Sequence, residues 1–119
     1  MWRRISYIFR WRSESAVGRG ARLLKDNLSA EQRYQYRLGR YFDVVGGDTG
    51  RWYRIYRADA MNIAELDDEG RCVSAWCFMP EGYLVRGDNM LAQKLALELF
   101  ETEALARANK FPARKLNIF

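Results

Sequence analysis

The chain has 119 residues, room for one domain with one core, and its 49 % apolar and 29 % charged residues with two prolines are those of a globular protein rather than a disordered or fibrous one. Its apolar runs are only a few residues long, which excludes a transmembrane helix, and it has no histidine, which removes the commonest general base and the commonest metal ligand. The formal charge of +5 belongs to the N-terminal third: residues 1–40 carry ten Lys/Arg against three Asp/Glu, residues 41–119 ten against twelve. A basic segment on a near-neutral body points to an anionic partner, or to a solvated terminus.

Residues 1–20 read as a basic amphipathic segment followed by a linker, and residues 21–119 as a single domain. At 100° per residue, Trp2, Ile5, Ile8 and Phe9 share one arc with Arg3 and Arg10 roughly opposite, while Arg12 falls inside the arc. Aromatics interleaved with Arg3, Arg4, Arg10 and Arg12 suit a membrane interface or single-stranded nucleic acid. They also suit a helix docked on this protein's own core. Two glycines and two serines in SESAVGRG, residues 13–20, mark the linker.

A first helix is expected over residues 21–28, with Leu23, Leu24 and Leu28 on one side. Ser29 with Gln32 three residues on forms a capping-box signature for a second helix running to about Leu38, where Gly39 stops it. Arg33, Arg37 and Arg40 give that helix a basic face, which could contact phosphates or be merely solvated.

From Tyr41 the apolar period changes to two. Residues 41–45 and 51–57 alternate around GGDTG, a loop of turn formers, and so predict a hairpin. A second hairpin pairs residues 61–66 with 72–79 across DDEG. Short connections make all four strands one antiparallel meander. Cys72 and Cys77 fall on opposite strand faces and should not bond to each other; both read as small buried hydrophobes, and a reducing, cytoplasmic compartment is expected, with peripheral membrane attachment open through the basic end.

Asp88 is the natural N-cap of a long helix from Asn89 to about Lys110. Leu91, Leu95, Leu99, Thr102 and Ala106 form one stripe, and Leu97, Phe100, Ala104 and Ala108 a second on the other side. The first is expected to meet the sheet, the second the N-terminal helices or a partner. Beyond Pro112, the apolar Leu116, Ile118 and Phe119 call for a docking place.

Chemistry-bearing motifs are scarce. GGDTG joins antiparallel strands, not strand to helix, and lacks the lysine of a phosphate loop, so hairpin geometry accounts for it. Asp67, Asp68 and Glu69 sit in a turn, and Glu98 and Glu101 are best partnered by Lys94 or by arginines. No cofactor or metal site and no enzyme is expected. Trp52, Arg54 and Tyr56 share a strand face with the composition of a binding hot spot.

Across residues 42–98 the features TGRxYRI, MN, WCFxPE and GDxMLAQKLALE resemble a group of short bacterial proteins of uncharacterised function. The resemblance implies a stand-alone bacterial domain and no activity, ligand or catalytic residue. The fold expected is α+β: N-terminal helices, a four-stranded antiparallel meander and a long C-terminal helix packed on the sheet. The function expected is a small non-enzymatic interaction module, binding a protein partner or itself through Trp52, Arg54, Tyr56, Leu97 and Phe100. The alternative is a binder of nucleic acid or an anionic membrane surface through Arg3, Arg4, Arg10, Arg12 and the remaining basic residues of 1–40.

Overall fold

A computed structural model describes residues 15–79, 82 and 84–118. The basic stripe of residues 2–12, with Arg3, Arg4, Arg10 and Arg12, lies outside the described residues. Ser15 caps the first helix, α1 (Ala16–Asp26), by accepting the Gly18 N–H at 3.0 Å. The helix therefore includes most of the stretch expected to be a linker. Its glycine has another purpose: Gly20 is buried where α1 crosses the long helix α3 (Arg86–Ala106), and Gly87 faces it across the crossing. A Cβ on Gly87 would run into the Gly20 carbonyl, so this glycine pair sets how closely the two helices approach.

The second helix, α2 (Ala30–Gly39), forms as its capping box dictates, with Ser29 and Gln32 satisfying each other's backbone amides. Arg40 takes a left-handed conformation, φ 58°, and turns the chain into the sheet. The strands β1 (Tyr41–Val45), β2 (Trp52–Tyr56), β3 (Ile63–Leu66) and β4 (Cys72–Cys77) form the expected antiparallel meander, with an irregularity between Glu65 and Leu66.

A fifth strand, β5 (Asn109–Phe111), pairs with β4, so the order is β1-β2-β3-β4-β5. The long helix stops at Ala106 rather than near Lys110, because residues 109–111 gain ladder bonds along the open edge of β4. Both edges of the sheet are blunted. β5 is three residues long and followed by Pro112, and along β1 the side chains of Gln32 and Gln35 bond the Asp43 carbonyl and amide, at 2.9 Å each, in place of a neighbouring strand.

The inner sheet face carries Phe42, Val44, Tyr53, Ile55 and Ile63, all buried, and packs with Leu24 and Leu28 against Met90, Leu91 and Leu97 of α3. The buried side of α3 is thus Met90, Leu91, Gln93, Lys94, Leu97 and Glu101, so that of the leucines in the stripe read from periodicity only Leu91 is buried. Leu97 is fully buried, while Leu95, Leu99 and Phe100 are 44, 61 and 56 % exposed. Leu97 therefore belongs to the core and cannot serve as a partner-binding residue.

Partners supplied by distant parts of the chain explain this orientation. Gln93 and Asn62 exchange a reciprocal pair of amide hydrogen bonds at 2.9 and 3.0 Å, and Gln93 also reaches the Phe78 carbonyl. Buried polar groups with such partners cost little. Lys94 pairs with Glu98 at 2.5 Å, as its spacing suggests. The C-terminal segment returns from β5 across β4, with the Asn117 amide bonding the Met61 carbonyl at 2.9 Å, and Ala64 and Ala75 on the outer sheet face are fully buried. Leu116 is half-buried there, but Ile118 is 59 % exposed, and Phe119 lies outside the described residues. Cys72 and Cys77 are unbonded, as expected, but half-buried rather than buried.

Candidate anion-binding cleft

α2 places its basic residues along one wall of a cleft of about 740 Å³. Lys25 from the last turn of α1, Arg33, Arg37 and Arg40 from α2 and its cap, and Arg57 from the end of β2 line it together with Tyr34 and Tyr36. Among the described residues, no carboxylate lines it. The left-handed turn at Arg40 closes the site: the Arg57 amide bonds the Arg40 carbonyl at 2.9 Å, which brings a residue seventeen positions further along the chain beside the helix.

Of these cations, Arg33 holds the Leu28 carbonyl through Nε at 3.3 Å, and Arg37 lies 5.8 Å from the centre of the Tyr34 ring. Among the described residues none of the five forms a salt bridge. Tyr36 forms part of the floor, its hydroxyl against the Met90 sulfur and its ring edge-on to Phe42. Burial raises the Tyr36 pKa, against the positive field of Arg57 and Arg86, so it stays a neutral phenol. A second concavity of about 420 Å³ shares Arg40 and Arg57 with the first and continues to Asp59, Arg86 and Asn117. There Arg86 is held by both oxygens of Asp59, at 3.0 and 3.4 Å, a partnership that raises its pKa further.

The outer sheet face holds the other residues singled out in the sequence. Trp52, Arg54 and Tyr56 do share it, but Arg54 is committed within the molecule. Its guanidinium grips Asp43 on β1 with two bonds, at 2.8 and 3.0 Å, and lies 4.0 Å over the Tyr41 ring. The Asp43 bond keeps the Arg54 pKa above its already high usual value. Tyr56 leans on Tyr41, ring centres 5.9 Å apart. Trp52, 49 % exposed, is the member of this trio that remains open to a partner. Phe100 is open as well, at a non-helical break in α3 with φ −141° and ψ 43°.

That break is where the GGDTG loop docks. The loop does cradle an anion, and the anion is Glu101 of the same chain. One carboxylate oxygen accepts the Asp48 and Thr49 amides at 3.0 and 2.8 Å, and the other accepts the Thr49 and Tyr53 hydroxyls at 2.5 Å each. Burial works to raise the Glu101 pKa, but these four bonds outweigh it and hold the carboxyl below its usual range. Burial and the same bond push the Tyr53 phenol well up, so it remains a donor. In return, Asp48 accepts the Thr102 amide at 2.9 Å and the Gly47 amide bonds the Leu97 carbonyl at 3.0 Å, so the loop satisfies backbone groups freed by the break. This cradle is full and offers nothing to a ligand.

No protein-family model, curated protein or solved structure matches the chain. Among the described residues no three His, Cys, Asp or Glu side chains gather as a metal site, and no helix is long and apolar enough to cross a membrane. Of the cleft residues, Arg33, Arg37 and Arg40 are legible as a basic helix face. Lys25 and Arg57 carry no local signal, since each is an ordinary surface cation until the fold brings it to α2.

Proposed function

We propose that the protein is a non-enzymatic binding module that holds an anionic partner in the cleft of α2. The carrying observation is the clustering of Lys25, Arg33, Arg37, Arg40 and Arg57 round one concavity that, among the described residues, no carboxylate lines. Like charges so placed repel one another, and an anion entering the cleft relieves that repulsion. Heparin titration of the full chain tests it. Binding at 50 mM salt should weaken steeply by 200 mM, because each neutralised anionic group releases counterions. Arg37→Gln with Arg57→Gln should weaken it about tenfold or more, and more than Arg3→Gln with Arg4→Gln. Binding that ignores the cleft pair but is lost with Arg3, Arg4, Arg10 and Arg12 would transfer the function to the N-terminal segment.

A second reading, association with a protein or with a second copy, draws support from Trp52, Leu99 and Phe100, each about half exposed. Such a complex would survive high salt, which light scattering distinguishes.

A further inference from the structure

We infer that the anion taken by this cleft is a single-stranded nucleic acid, with its backbone along the arginine row and a base against Tyr34; this rests on the anion-binding reading above. Three observations carry it. First, the cationic surface is concave. A lipid surface meets a flat or projecting face, and a duplex is a wide, stiff cylinder, whereas a flexible single strand can follow a groove between α1, α2 and the Arg57 corner.

Second, the groove is longer than one phosphate needs. Arg33, Arg37 and Arg40 step along α2 by about 6 and then 4.5 Å. Beyond them, Arg40 and Arg57 are common to the second concavity, where the track ends at the Arg86–Asp59 ion pair. A free phosphate or a single headgroup would occupy one station on this track, while a chain of phosphates would occupy several.

Third, an aromatic ring stands on the track without being used by the core. Tyr34 is 58 % exposed, whereas Tyr36 is engaged with Phe42 and Met90. Bases stack on such rings regardless of sequence, and a neighbouring guanidinium, here Arg37 at 5.8 Å, adds to the stack. The expected ligand is therefore sequence-tolerant.

The test is fluorescence anisotropy of the full chain with a labelled 12-nucleotide poly-U strand, against the matching duplex, heparin, and vesicles of phosphatidylcholine with phosphatidylserine. The single strand should bind at least tenfold more tightly than the duplex, with a log–log salt slope of roughly −0.7 per phosphate, or about −2 to −3.5 for three to five contacts. Tyr34→Ala should weaken single-strand binding about tenfold, Tyr34→Phe should restore it, and heparin affinity should stay within about twofold in both. If Tyr34→Ala lowers the melting temperature, photo-crosslinking of a 4-thiouridine strand to the wild-type chain replaces it, with the adduct expected at Tyr34. Heparin binding with no preference for the single strand, a preference for vesicles, or no dependence on Tyr34 and no adduct there would overturn this inference and leave the anion-binding reading standing. No binding to any polyanion would overturn both.

Discussion

Glu101→Gln removes one charge at the point where the first hairpin clasps the long helix, with almost no change of shape. In the wild type its carboxylate accepts four hydrogen bonds and is fully buried. A bond to a charged group contributes about 1.5–3 kcal/mol and a neutral one about 1 kcal/mol. The glutamine oxygen keeps the two loop amides, but its NH₂ then faces the Thr49 and Tyr53 hydroxyls, which must turn to accept. Relief of the charge's desolvation offsets part of the loss. The net cost should be about 2 kcal/mol, or a fall in Tm of roughly 8 °C for a domain of this size. Circular dichroism during heating and urea titration reads both.

The pH dependence sharpens the test. A carboxyl whose folded pKa is depressed contributes stability that is fully present above its unfolded pKa, near the usual 4.5, and is lost as pH falls through the lower folded value. The wild type should therefore lose stability in acid below about pH 4.5, and Glu101→Gln should show a shallower fall over the same window. A variant within 0.5 kcal/mol of wild type at pH 7, with an unchanged acid slope, would refute the clasp.

Leu97→Ala should cost about 2–5 kcal/mol as a core truncation, whereas Leu99→Ala should stay within about 0.5 kcal/mol, measured by urea denaturation; the reverse order would put the other stripe of α3 inside. Gly47→Ala places a Cβ against the Glu98 carbonyl and should cost about 2–3 kcal/mol, more than Gly50→Ala, where φ is 76° and only left-handed strain of about 1 kcal/mol is added. Trp52→Ala should leave the melting temperature nearly unchanged, since its ring is half exposed; a large drop would show that the outer face is needed for folding. A double-mutant cycle on Arg54 and Asp43 should give a coupling of about 1–2 kcal/mol, and a value near zero would mean that Arg54 is free to meet a partner after all.

What sequence alone determined is local. Ser29 and Gln32 close a capping box within four residues, Gly50 and Gly70 supply the positive φ of two hairpin turns, and alternation puts Phe42 with Val44, and Tyr53 with Ile55, on one face of their strands, the face that the fold buries. Each depends on neighbours along the chain, so the α+β meander was legible. The tertiary structure decided what depends on distant partners. The long helix turns Gln93, Lys94 and Glu101 inward and three large apolar residues outward, because Asn62, Thr49 and Tyr53 wait inside to satisfy the polar groups. Periodicity counts apolar residues and is blind to such partners. Likewise Gly20 reads as a linker until Gly87 is seen against it, β5 forms only where β4 leaves an edge, and the cleft exists only once Arg57 is tied to Arg40. Charge could be counted from the sequence, but its convergence on one cleft required the fold.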